Sequence, residues 1–185
     1  SEGVLNSWEV LSDNPPLGKK VAIIGGGAVG LETALFVAAK GTINAETLDF
    51  LFRYEAASPE RLRELRFRGT SEVVVFEMLP KAGKDVGKST KWVLFDSLKR
   101  HKVKIRTGAK VVSMDSKTVS WQTDEEEHTQ NFDNVIIAAG SKSVNPLEAP
   151  LAELKIPFTL IGDCLKPGKI DNAIHDGFLA AIGIN

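Results

Sequence analysis

Lys20-Val21-Ala22-Ile23-Ile24-Gly25-Gly26-Gly27-Ala28-Val29-Gly30-Leu31-Glu32-Thr33-Ala34 is the stretch that decides the fold. Lys20 to Ile24 is a short β-branched run that stops at glycines. From Ala28 to Lys40 the apolar residues Val29, Leu31, Ala34, Leu35 and Ala38 recur at helical spacing until Gly41 ends the pattern. Between strand and helix, Gly25, Gly27 and Gly30 satisfy G-x-G-x-x-G, in the context that dinucleotide binding requires. Gly25 permits the tight turn, Gly27 lets a diphosphate approach the backbone, and Gly30 lets the helix pack close to the sheet. The free amides at the helix start favour anions, each contact being worth ~0.3 to 1 kcal/mol. A turn alone needs one glycine, and here there are four.

Outward from this unit, strands and helices alternate, which predicts an α/β fold with a mainly parallel sheet. Val73-Val74-Val75-Phe76 is nearly all apolar, as expected of a strand covered on both faces. Ser89 to His101 reads as a helix with Trp92, Phe95 and Leu98 on one stripe, and Val103 to Thr107 as a third strand. Lys110 to Asp115, Thr118 to Thr123 and His128 to Phe132 read as an antiparallel meander. Its second turn carries the acidic run Asp124 to Glu127, a solvated tip. Asn134 to Ala138 and Phe158 to Ile161 are further strands, and Ile170 to Ile182 a closing helix. The expected architecture is a Rossmann-like βαβ nucleotide-binding domain: a central parallel sheet, an antiparallel β-meander and an inserted helical hairpin.

The chain has 185 residues, 43% hydrophobic and 25% charged, enough to bury about 70% of its unfolded surface. A formal charge of −1 argues against nucleic-acid binding, which needs a basic excess. Apolar runs such as Val135 to Ala139 fall far short of the ~18 to 20 residues of a membrane span. One cysteine, Cys164, excludes an internal disulfide and reads as a small buried thiol. With no basic-then-apolar leader the expectation is a soluble, cytoplasmic piece; beginning at Ser1-Glu2-Gly3, it reads as cut from something longer.

An acidic residue at the end of the strand after the helix would hold the adenosine ribose. Glu77 sits there, 47 positions after Gly30 where about 20 is usual. The excess is Thr42 to Ser71, with helical segments Ala45 to Ala56 and Pro59 to Arg68, the second capped by Ser58 and started by Pro59. Leu48, Leu51 and Phe52 face one way on the first helix, and Leu62 and Leu65 on the second. Five arginines interleave with acids there, so a solvated or partner-facing surface is expected. A carboxylate ~4 Å from a 2′-phosphate would cost about 4 kcal/mol per unit charge at an effective dielectric of 20. NADH is therefore expected to be preferred, with NADPH possible through Lys81 and Lys84.

These residues resemble a family. Gly25 to Ala34, Val75-Phe76-Glu77-Met78-Leu79-Pro80-Lys81 with Asp85-Val86-Gly87, Ala138-Ala139-Gly140-Ser141 and Ile161-Gly162-Asp163-Cys164 are similar to the C-terminal region of the NADH:flavin oxidoreductases. That group includes 2,4-dienoyl-CoA reductase, enoate reductase and trimethylamine dehydrogenase. The resemblance implies a flavin (FMN) barrel with a 4Fe-4S cluster, both outside this chain, and an FAD domain with a nicotinamide domain inserted. Residues 1–17 would be a hinge, with Val4 to Leu11 a crossing strand. Residues 18–135 would be the nicotinamide domain with its 42–71 insertion, and 136–185 the returning FAD segment. Gly25, Gly26, Gly27, Ala28, Val29 and Gly30 would hold the pyrophosphate, Glu77 with Met78 the adenosine ribose, and Glu32 would lie beside the nicotinamide. Ala139 and Gly140 would lie near the nucleotide, Gly162 and Asp163 at the FAD ribityl or pyrophosphate, and Ala173 at the flavin ring. Hydride would pass from nicotinamide to flavin stacked at ~3 to 3.5 Å, for reduction of an activated C=C bond. The partners implied are a nicotinamide dinucleotide and the remaining FAD and barrel domains of the same enzyme.

No residue reads as catalytic and no cluster has metal-ligand spacing. His175 reads as structural, and His101 and His128 as exposed. Trp8, Trp92 and Trp121 read as packing residues. Two alternatives stay open: a complete FAD-binding domain, and a non-catalytic ADP- or NAD-binding module docking through the 42–71 hairpin.

Overall fold

The computed structural model describes residues 3–124 and 126–183. The first two and last two residues of the expected hinge and FAD segments, and Glu125 of the acidic run, lie outside the described residues. In chain order the elements are β1 (Val4–Asn6), α1 (Ser7–Asp13), β2 (Lys20–Ile24), α2 (Ala28–Ala39), α3 (Ala45–Arg53), α4 (Pro59–Phe67), β3 (Glu72–Glu77) and α5 (Lys88–Arg100). They continue as β4 (Lys104–Thr107), β5 (Lys110–Met114), β6 (Thr118–Thr123), β7 (Glu126–Asn131), β8 (Asn134–Ile137), α6 (Glu148–Glu153) and α7 (Ile170–Ile182), with a 3₁₀ turn at Gly162–Cys164 before α7. The chain divides into two compact units, Ser1–Ala139 and Gly140–Asn185.

In the first unit β1-β8-β2-β3-β4 form an all-parallel sheet, and β5-β6-β7 a separate antiparallel one. The side-chain period of two explains the unbroken apolar strands. Val21, Ile23, Val73, Val75 and Ile136 pack against Val10, Leu31, Ala34, Val37 and Leu98 of the helices. Their alternates Ala22, Ile24, Val74, Phe76 and Val135 pack against Val119, Trp121 and Phe132 of the meander and the turn after it. Phe76 meets Trp121 at 4.8 Å and Phe132 edge-on at 6.0 Å between ring centroids. One sheet thus has helices on one face and a second sheet on the other.

The insertion folds as the expected hairpin. Asn44 caps α3 and Ser58 caps α4, with Pro59 in its first turn. Leu62 is buried, while Phe50, Phe52 and Tyr54 are exposed. The end of α4 seats Phe67 edge-on against His101 at 5.5 Å. His101 was expected to be exposed; this contact buries its Nε2, while Nδ1 bonds the Ser97 carbonyl at 2.9 Å.

Several expectations fail for identifiable reasons. Val4 to Leu11 is strand only to Asn6, because Asn6 and Glu9 form a reciprocal capping box that starts α1. Trp92 is 72% exposed, because steps of three drift off a 3.6-residue period; the inward stripe of α5 is Lys91, Leu94, Phe95 and Leu98. Trp8 is also exposed, since α1 turns Ser7 and Val10 inward. Glu126 and Glu127 belong to β7, paired with Thr123 and Gln122, so of the described acidic residues Asp124 is turn and these two are strand. Phe158 to Ile161 forms no strand: Ile161 has extended backbone (φ −139°, ψ 157°) but no ladder partner among the described residues. Helix α6 went unforeseen.

Candidate functional site

β2 and β3 run parallel in register, Ile24 beside Phe76, so the glycine turn and Glu77 emerge together at the C-terminal edge of the sheet. Gly25 has φ +113° and donates its N–H to the Phe76 carbonyl at 2.9 Å. A Cβ there would also meet the Ala138 carbonyl at 2.6 Å, so the end of β8 brings Ala139 beside the turn. At Gly30 a Cβ would collide with the Gly25 carbonyl, which is why this helix position takes glycine.

The amides of the turn divide into two sets. Glu77 accepts from the Gly26 N–H through Oε2 and from the Leu79 N–H through Oε1, both at 2.8 Å. Asp85 accepts from the Ala28 N–H through both oxygens, at 2.9 and 3.0 Å. The first helical bond is donated by Leu31 to Gly27, so the Val29 and Gly30 N–H groups precede it. No described side chain accepts from these two or from Gly27, whose own N–H bonds no described residue. The result is a helix start with three amides, those of Gly27, Val29 and Gly30, that no described residue accepts from, and a carboxylate clamped alongside.

Met78 is 67% exposed next to Glu77. Glu32 is exposed on α2, and its side chain bonds no other described residue. Asp85, in the segment Asp85-Val86-Gly87, has no role expected from the sequence. Its only sequence signal is its place eight residues after Glu77 and just before α5, and nothing local ties it to a turn 57 residues earlier.

In the second unit Gly162 has φ +59°, and a Cβ there would lie 3.2 Å from the Ala173 Cβ, so these two expected residues pack together. The Gly162 N–H donates to Asp176 Oδ2 at 3.2 Å, and Asp163 Oδ1 accepts from the Gly168 N–H at 3.1 Å. Cys164, expected to be buried, is half-buried and donates its thiol to the Ile161 carbonyl at 2.9 Å. No described residue of this unit is buried, so no core is present to cover it. Gly140 has φ +78° and open space around its Cα. His128 and His175 are exposed.

A parallel sheet with a glycine turn between strand and helix, and an acid closing the next strand, defines a Rossmann-like nucleotide-binding fold. Residues 4–159 match the pyridine nucleotide-disulphide oxidoreductase family, and the chain belongs to it. Membership implies FAD and NAD(P)H as cofactors. The chain is 37% identical over 179 residues to a metal reductase of Desulforamulus reducens, covering 97% of this chain and 27% of that protein. It is 27% identical over 180 residues to a bilirubin reductase of Mediterraneibacter gnavus, covering 96% and 23%. The solved 2-naphthoyl-CoA reductase has the same fold, with a TM-score of 0.70 at 24% identity over 100% of this chain and 24% of that one. The chain therefore spans about a quarter of the length of these relatives. Among the described residues no helix is long and apolar enough to cross a membrane.

Proposed function

We propose that this chain is the nicotinamide-nucleotide part, with a returning segment of the FAD part, of a larger flavin-dependent reductase. The observation that carries the reading is the glycine turn, where the Gly27, Val29 and Gly30 amides have no described hydrogen-bond partner and lie beside a clamped Glu77 carboxylate. The diphosphate takes these amides. Glu77 keeps lone pairs on both oxygens and accepts from the 2′- and 3′-hydroxyls of the adenosine ribose, with Met78 against the adenosine. Glu32, one turn into α2, lies on the nicotinamide side.

Bound NAD(P)H supplies a hydride and FAD accepts it as a two-electron carrier. In the second unit the free Oδ2 of Asp163 is the group assigned to the FAD ribityl or pyrophosphate, and Ala173 to the flavin side. The domain limits proposed are a hinge over 1–17, the nicotinamide domain over 18–135 and the FAD segment over 136–185.

Calorimetric titration of the 185-residue chain with NADH, NADPH and ADP tests this. NADH is expected to bind tighter than NADPH, and Glu77→Gln to narrow the difference by roughly tenfold through loss of a charged acceptor. Tighter NADPH binding by the unaltered chain overturns the preference. Failure of all three to bind at millimolar levels overturns the site.

For the acceptor, the bilirubin reductase relative supports reduction of a conjugated C=C bond. The 37% identity to a metal reductase favours a second reading, in which a metal ion is the electron-accepting substrate. NADH oxidation by the longer protein containing this chain, with an enoate or with ferric citrate as acceptor, separates the two.

A further inference from the structure

The helix start proposed for the diphosphate already holds an anion that this chain supplies, on the Ala28 amide between Gly27 and Val29. Gly27, the residue preceding α2, has no side chain to satisfy the amides of the first turn. Asp85 does so instead, spanning the Ala28 N–H with both carboxylate oxygens at 2.9 and 3.0 Å. A Cβ on Gly27 would come within 3.1 Å of Asp85 Oδ2, so the glycine also makes room for this carboxylate.

The backbone carrying Asp85 is pinned. Gly83 donates its N–H to the Gly26 carbonyl at 2.7 Å and accepts from Lys91 Nζ at 2.7 Å. Ala82 is buried in the helix-side core, and Val86 packs against that core. Asp85 itself is exposed, so its carboxylate can rotate into water while the loop stays in place.

We infer that Asp85 is a built-in surrogate for phosphate, occupying the first amide of α2 and leaving it when a nucleotide diphosphate arrives. The inference rests on the dinucleotide reading of the turn and adds a regulation to it. Binding exchanges one anion for another at a helix start, so it is weaker, and release faster, than at a turn with no resident carboxylate.

The test compares ADP and adenosine binding to the full chain and to its Asp85→Asn and Asp85→Ala variants. Asp85→Asn keeps an oxygen that can accept from Ala28 but removes the charge, so it preserves the fold if the alanine variant does not. ADP is expected to bind Asp85→Asn about threefold to tenfold tighter, with slower dissociation, while adenosine affinity stays unchanged. Unchanged or weaker ADP binding by a folded Asp85→Asn variant, while the unaltered chain binds ADP, overturns the inference and leaves the site standing. An equal gain for adenosine also overturns it, because the effect would then not come from anion competition. ADP binding to none of the proteins overturns the dinucleotide reading and this inference with it.

Discussion

Gly30 faces the Gly25 carbonyl so closely that any side chain must push α2 off the sheet or open the turn. Gly30→Ala is expected to cost about 1 to 3 kcal/mol, the usual scale of overpacking, read as a lower denaturant midpoint at constant slope. The turn was legible because its chemistry is local: four glycines at fixed offsets between a β-branched run and a helical stripe. Glu77 was legible because strand ends in a parallel sheet line up, whatever is inserted between them. Asp85 and His101 were not, since each is defined by a partner far along the chain, Ala28 for one and Phe67 of the insertion for the other.

Among the elements, the capped helices α3 and α4 and the apolar strands β2, β3 and β8 follow the sequence pattern, and departures fall where two signals overlap or a partner is missing. Val4-Leu5-Asn6 is β-prone, but Asn6 with Glu9 is also a helix start, and the reciprocal hydrogen bonds end the strand there. Phe158 to Ile161 has strand composition, yet a strand exists only with a neighbour to receive its amides. The turn joining β5 to β6 has its own pH response. Asp115 accepts from the Lys117 and Thr118 N–H groups, both at 2.7 Å, and these bonds, Lys117 first, hold its carboxyl below its ordinary range. Its pKa is lower folded than unfolded, so its contribution is complete above the ordinary carboxylate pKa and is lost as pH falls through the lower, folded value. Acidification is therefore expected to loosen this turn, seen as faster amide exchange at Lys117 and Thr118. Asp115→Asn should remove that pH dependence, measured by NMR.

At the scale of the whole molecule the two units differ in kind. The first holds every buried residue described, and the second none. Helix α7 carries Ile170, Ile174, Phe178 and Ile182 at steps of four, 81%, 67%, 61% and 62% exposed, an apolar stripe with nothing described over it. Residues 1–139 alone are expected to unfold in one cooperative thermal transition, and residues 140–185 alone to show none by calorimetry. A cooperative transition from the shorter piece would contradict its reading as half a domain. The first unit also has an unusual closure: β8 lies between β1 and β2, with Val4 beside Val135 and Val21 beside Asn134. During synthesis β1 waits for β8, its one partner among the described residues, on the order of ten seconds at about 5 to 20 residues per second. A nascent chain stalled before Asn134 would therefore leave Val4–Asn6 without the strand it pairs with in the finished fold, and would present that edge to chaperones.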